Sequence, residues 1–555
     1  MFGKVAGVLL SLSSAVAWDN GAALTPPMGF ANWNVFGCNY TDALFREIAD
    51  AFVSTGLAAK GYSYMLVQEC IVPRGARDPA TGVVQPNTEM FPHGLADLAD
   101  YFHAKGLKAG IYTDVKSITC AGYEGSGHGP NTTSHWALDA LTYAQWGFDM
   151  IEADFCNPSG NNMSAYEMYK EARDAIAAAT AATGRTITFY ACNWGEEQPW
   201  LWAPEVANLF RNTGDICAPG SIAFDRILYN FDNTIIHSST PPARPGLPGT
   251  GIGAFNDPDM LGVGMNGITD VEGRTQFSLW CILGAPLMLG TDVRSASDYT
   301  MATIGNVEAI ALDQDPLGIQ GFSLITAPAP TPFNGGILLN VSDCAAPSAA
   351  AGRWALTADG HLQSLTGDIC VTVEACGTAP GTLVFGYSCT TNQCGNQLWN
   401  FSAATGLLAT QELGAGGALC LSYTGTGLAL APCALGNPQQ TFALDAATGA
   451  LSLPHAQPTP QCVWFPAPPL VNLYAKPLSP LPGLGQPFGL ALLNRGPAGV
   501  PGQVVDLAML GFAPSQAVVV RDIWAATTSA RVMGNFTTRA MESHETLLLR
   551  ITPAA

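Results

Sequence analysis

Two rhythms alternate through the first 320 residues of the chain. Short apolar runs of strand character fall at 64–69, 109–114, 149–154, 187–193, 209–215, 252–257 and 286–292, with a further one near 28–33. Between them stand longer stretches with helical spacing at 43–61, 95–106, 135–147, 164–184 and 270–283. This alternation predicts a parallel sheet with helices outside it. Eight strands in about 290 residues fit a closed (β/α)8 barrel better than an open doubly wound sheet. Neither G-x-G-x-x-G nor a P-loop follows the first strand, which speaks against a nucleotide-binding sheet.

After Gly321 the pattern changes. Residues 325–352 are rich in Ala, Pro and Gly. A repeat then appears: Arg353-Trp354, Gln397-Leu398-Trp399 and Gln440-Thr441-Phe442, its aromatics 45 and 43 residues apart. Three similar units predict a closed, three-fold β structure. Eight cysteines lie between 344 and 462, an even number that permits internal bridges of open connectivity. Beyond 470, short alternating runs at 488–494, 504–510, 517–523 and 545–551 are separated by Gly and Pro turns, as in an antiparallel sandwich. The predicted division is a signal segment at 1–17, a barrel at 18–324, a closed three-fold β unit at 325–468 and a C-terminal sandwich at 469–555.

Composition narrows the partners. The 43 acidic residues exceed the 23 basic ones, a net charge of −20, which argues against nucleic acid and anionic membrane surfaces. Charged residues are only 12% of the chain, about half the usual ~25%. The N-terminus carries Lys4, an apolar run from Val5 to Leu12 and the small-x-small signature Ala15-Val16-Ala17, which predicts secretion with cleavage after Ala17. Fifteen cysteines and six N-x-S/T sequons, at Asn39, Asn131, Asn162, Asn340, Asn400 and Asn535, agree with an oxidising secretory route. The apolar run at 279–290 is too short to anchor in a bilayer and contains Pro286. No zinc-type ligand spacing is present and no cofactor is implied; the oligomeric state is open.

Nearly every apolar run of the barrel ends in a carboxylate or amide: Glu69, Asp114, Asp154, Asn193, Asp215, Asp257 and Asp292. A lone case is ordinarily a helix N-cap. So many at the C-terminal strand ends, where barrel active sites sit, point to a polyhydroxylated ligand.

These residues stand in ordered motifs that resemble the α-galactosidases of glycoside hydrolase family 27. The motifs include Thr25-Pro26-Pro27-Met28-Gly29, Asn32-Trp33-Asn34, Phe91-Pro92-His93-Gly94, Arg211-Asn212-Thr213-Gly214-Asp215 and Asn256-Asp257-Pro258-Asp259-Met260-Leu261. The resemblance covers about 24–324 and resumes at 472–553. The repeat between them resembles a ricin-type trefoil lectin module, inserted after the first strand of the C-terminal domain. The resemblance implies a retaining mechanism with Asp154 as nucleophile and Asp215 as acid/base. Such enzymes need two carboxyl groups ~5 Å apart. A proton held on Asp215 by burial and a neighbouring anion would set their division of labour. It further implies sugar contacts from Trp33, Tyr112, Cys192, Trp194 and Arg211, and disulfides Cys38–Cys70 and Cys120–Cys156.

Four pocket positions depart from the family. An Asp-Asp pair becomes Gln68-Glu69, a Lys two residues before the nucleophile becomes Glu152, and the Glu after the pocket cysteine becomes Asn193. Residues two apart on a strand share a side, so Glu152 and Asp154 are expected to be neighbours, unless Glu152 turns away to Arg211 or solvent. Three readings result: hydrolysis of α-galactosides; the same chemistry on an altered glycon such as a β-L-arabinopyranoside; or a carbohydrate-binding protein without turnover, against which both retained aspartates stand. Each has an oligosaccharide, polysaccharide or glycoconjugate as partner.

Overall fold

The computed structural model describes residues 18–554 apart from 131–132, 158–161, 219, 239–252, 325–338, 346–351, 366–368, 374–376, 390–394, 412–418, 426, 457–458, 465–470 and 497. The expected signal segment therefore lies outside the described residues, as does the sequon asparagine at 131. Two compact units emerge, one formed by 1–325 with 471–555 and the other by 326–470.

The first unit is built on eight parallel strands: β1 (Met28–Ala31), β2 (Tyr64–Val67), β3 (Lys108–Asp114), β4 (Met150–Asp154), β5 (Thr188–Ala191), β6 (Leu209–Arg211), β7 (Phe255–Asp257) and β8 (Leu287–Leu289). They pair in the order β8-β1-β2-β3-β4-β5-β6-β7. The ring closes just past β7, where Leu261 bridges Leu289 in parallel and exchanges 2.8 Å backbone bonds with Met288 and Gly290. All eight predicted strands are present, and the barrel is the predicted α/β fold. Ala31, Tyr64, Leu66, Met150, Tyr190, Leu209, Phe255 and Met288 fill its interior as one apolar cluster. That alternation aims Tyr112, Glu152, Asp154 and Arg211 inward too, because they lie an even number of residues along from inward neighbours. Gly110 leaves room in this packed interior: a Cβ there would meet the Leu66 side chain at 2.8 Å.

Helix starts follow their caps. Ser164 with Glu167 and Thr269 with Glu272 form reciprocal capping boxes at Ala165–Thr183 and Asp270–Leu283. The latter helix is buried almost all round because the C-terminal sheet packs on it, which accounts for its long apolar run. The helix Phe224–Ser238 is an addition to the predicted stretches, although its buried Ile227, Phe231 and Ile235 recur at helical spacing.

The C-terminal part is an antiparallel six-stranded sheet beside a two-stranded one. Its edge strand, Phe322–Ser323, comes from before the second unit and pairs with Val471–Pro477. Arg495 Nη1 donates to Asp232 at 2.9 Å and Arg521 Nη2 to Glu308 at 2.6 Å, tying this sheet to the barrel helices.

The second unit has its own core. Its repeat aromatics Trp354, Trp399 and Phe442 are all buried there. Trp354 Nε1 donates to the Val463 carbonyl and Trp399 Nε1 to that of Val371, each one residue past a cysteine of the repeat. Bridges Cys344–Cys462, Cys370–Cys389 and Cys420–Cys433 brace it. Among the described residues, no helix is long and apolar enough to cross a membrane.

Candidate active site

The strand ends of the barrel assemble a dense polar cluster. Asp154, the last residue of β4, is buried. Its Oδ1 accepts from the Phe155 backbone N–H at 2.9 Å and its Oδ2 from the Tyr112 hydroxyl at 2.8 Å. Burial pushes its carboxyl up to about 7; the Tyr112 hydrogen bond opposes the rise and the charge of Asp215 adds to it. Asp215 lies four residues past Arg211, the end of β6, and its side chain is 56% exposed. The burial expected around Asp215 is thus found at Asp154 instead. The reason is topological: Asp154 is still within its strand, whereas Asp215 stands on the loop beyond one.

Arg211 organises the far wall. Its Nη2 lies 3.1 Å from Asp215 Oδ1, 3.1 Å from Asp259 Oδ2 and 3.0 Å from the Thr213 carbonyl. Its Nη1 lies 3.7 Å from the free thiol of Cys192. Asp259, which the sequence reading left without a role, also accepts from the Ile216 N–H at 2.7 Å. Burial pushes its carboxyl up to about 6 against the pull of Arg211. The Asn-Asp-Pro-Asp-Met-Leu motif was the signal that could have found it.

The near wall holds the unusual residues. Gln68 Oε1 accepts from the Trp33 N–H at 3.2 Å, so its amide nitrogen faces Glu152 and donates to Oε2 at 2.6 Å. Glu152 is buried and turns neither to Arg211 nor to solvent. Burial first, then the charge of Asp154, push its carboxyl well above the usual range. Glu69 is engaged by protein: Tyr112 at 3.0 Å, the Ala121 N–H at 2.9 Å and the Thr119 hydroxyl at 2.7 Å. Disulfides join Cys38 to Cys70 and Cys120 to Cys156 beside these groups.

Two of the strand-end carboxylates serve other ends. Asp114 takes the backbone N–H groups of Lys116 and Cys156, bracing loops, and Asp292 pairs with Arg294 at 2.8 Å. Elsewhere hydrogen-bonding capacity is unused. Both amide atoms of Asn193, Trp194 Nε1, Arg211 Nε and Thr213 Oγ1 are buried without a partner among the described residues. Such groups cost free energy unless something pairs with them. Backbone strain gathers here as well: Glu69, Cys70, Trp194, Glu197, Gln198 and Asp259 all have left-handed φ.

Residues 25–315 match the family model described as alpha galactosidase A, and 471–551 match the alpha galactosidase C-terminal beta sandwich domain. The chain belongs to the α-galactosidase family of glycoside hydrolases, family 27. Residues 330–442 match the ricin-type beta-trefoil lectin domain. Alpha-galactosidase A of Cellvibrio japonicus is 40% identical over 331 residues, covering 58% of this chain and 76% of that one. The solved alpha-galactosidase I of Mortierella vinacea superposes with a TM-score of 0.60 at 20% identity, over 96% of this chain and 98% of that one. A family 27 β-L-arabinopyranosidase from Geobacillus stearothermophilus gives 0.56 at 17% identity, over 97% and 99%. At those identities the two solved structures speak to the fold alone.

Proposed function

We propose that this family 27 hydrolase cleaves terminal α-D-galactosyl residues with retention of configuration. Asp154 is the nucleophile and Asp215 the acid/base. The observation that supports the reading is that the Tyr112 hydroxyl and the Phe155 N–H both donate to Asp154, favouring the carboxylate that attacks, while Asp215 stands past β6 at the open end of the barrel, where a leaving group would lie.

In the first step Asp154 Oδ attacks the anomeric carbon and the glycosidic bond breaks. Asp215 gives its proton to the leaving oxygen, and a covalent glycosyl–enzyme ester results. In the second, Asp215 takes a proton from water, whose oxygen displaces Asp154 from the same carbon. The Tyr112 hydroxyl and the Phe155 N–H stabilise the Asp154 carboxylate before attack and as it leaves. Trp33 and Trp194 supply ring surface, and Asn193, Arg211 and Thr213 supply unpaired polar atoms, for the glycon. Gln68, Glu69 and Glu152 shape the pocket floor.

A second reading has the same chemistry on a β-L-arabinopyranoside. It is supported by Gln68-Glu69 standing where the family carries Asp-Asp, with the Glu69 carboxylate spent on Tyr112, Thr119 and the Ala121 N–H and so not free to grip the C4 and C6 hydroxyls of galactose. The signal segment, sequons and disulfides support a secreted or lysosomal-vacuolar destination.

Assays on aryl α-galactosides and aryl β-L-arabinopyranosides separate the two. Asp154→Ala abolishes turnover on both. Asp215→Ala spares aryl substrates whose leaving group needs no proton, and azide rescues its second step. Equal loss on activated and natural substrates for Asp215→Ala defeats the assignment.

A further inference from the structure

The structure offers Glu152 a role that a charged side chain could not fill. Glu152 and Asp154 stand two residues apart on β4, both aimed into the barrel and both buried. Facing Glu152 are Tyr112 on β3, Tyr190 on β5 with Cys192 just past it, Arg211 on β6, Asp257 on β7 and Asp259 just past it. Tyr169 approaches from the helix outside. The cation among these, Arg211, is already committed to Asp215, Asp259 and a carbonyl. Lys116, whose Nζ is held on the Phe155 carbonyl, bears on Asp154 and Asp114 rather than on Glu152, and two adjacent carboxylates do not both ionise where neither cation is free for Glu152. Gln68 then decides which oxygen does what. Its amide is oriented by the Trp33 N–H, so Glu152 Oε2 must accept. Among the described residues Oε1 takes no hydrogen bond, and Asn193 beyond β5 leaves both amide atoms unpaired.

We propose that Glu152 is a neutral carboxylic acid in the working enzyme and donates the Oε1 proton to a hydroxyl oxygen of the glycon. It rests on the hydrolase reading given above. The pair Gln68–Glu152 thereby presents a donor to the sugar while leaving the single negative charge on Asp154. Burial opposes ionisation of Glu152 more strongly than the hydrogen bond from Gln68 and the charge of Arg211 favour it, which agrees with the geometry.

The decisive variant is Glu152→Gln, whose carboxamide has the acceptor and donor of the neutral acid in the same places. Infrared difference spectra of parent minus variant at neutral pH should show the carbonyl stretch of a protonated carboxyl. This readout needs no substrate, so it stands even if aryl α-galactosides prove not to be cleaved, an outcome that defeats the galactoside reading alone. With an aryl α-galactoside, KM of the parent should climb at alkaline pH as Glu152 ionises, and KM of Glu152→Gln should stay flat. Glu152→Ala should raise KM by about tenfold, the loss of one hydrogen bond. The acid limb of kcat/KM should hold its place in Glu152→Gln, because a neutral neighbour exerts no charge on Asp154. Absence of the carbonyl band, or an acid limb that drops by about one pH unit in Glu152→Gln, overturns the proposal. Preference of the parent for an aryl α-galactosaminide, lost in Glu152→Gln, overturns it too, since an ammonium group would then pair with ionised Glu152.

Discussion

The Tyr112 hydroxyl stands between two carboxyl groups, 2.8 Å from Asp154 Oδ2 and 3.0 Å from Glu69 Oε1. A phenol has one proton to give, and Glu69 is already served by Thr119 and the Ala121 N–H. The proton therefore goes to Asp154, where it offsets part of the cost of a buried negative charge.

Tyr112→Phe removes that donor. The acid limb of kcat/KM, which reports ionisation of Asp154 in the free enzyme, should move up by about one pH unit. Activity on the acid side should fall by about tenfold or more. A limb that does not move would mean that Phe155 N–H alone sets the state of Asp154.

Stability should carry the opposite sign from that of a salt-bridged aspartate. Burial raises Asp154 from the ordinary 3.8 to about 7, so between those values the folded state holds a proton that the unfolded state has released. Its contribution is full below pH 3.8 and is lost as pH rises through 7. Asp154→Asn, permanently neutral, should stabilise the protein at pH 8 by on the order of 2–4 kcal/mol and leave it nearly unchanged at pH 4. Urea denaturation at the two pH values checks this; equal effects at both contradict it.

The second unit should depend on its repeat aromatics for folding rather than for ligand contact. Trp399 is 1% exposed and its indole N–H is spent on the Val371 carbonyl. Trp399→Ala should cost about 3–5 kcal/mol, seen in calorimetry as a lowered or missing transition for 326–470. Should carbohydrate retention be lost while that transition stays in place, Trp399 would be a binding residue.

Much of this was readable along the chain. Each barrel strand announced itself as a short apolar run, because a strand buried on both faces has no polar position to interrupt it. The carboxylates stood out because each closes an apolar run, at its strand's last residue or within four residues beyond it. The roles proposed for Asp154 and Asp215 come from the motifs that resemble the family, not from periodicity. The three repeat aromatics marked a three-fold unit because each repeat must contribute one side chain to a shared core.

What the chain alone could not decide is how these side chains divide a scarce supply of donors. Periodicity put Glu152 beside Asp154, yet whether it would reach Arg211, solvent or Gln68 depended on strands three-dimensionally adjacent but 84 residues apart in sequence. Burial of Asp154 rather than Asp215 likewise depended on where β4 and β6 end against their neighbours. Asp259 entered the site only because the loop past β7 turns back through a left-handed residue to face Arg211. Local pattern determines which residues lie on the inner face, since that is a property of one strand. Which of them keep a proton is a property of the whole ring, because charge and hydrogen bonding act through space between strands that only the closed barrel brings together.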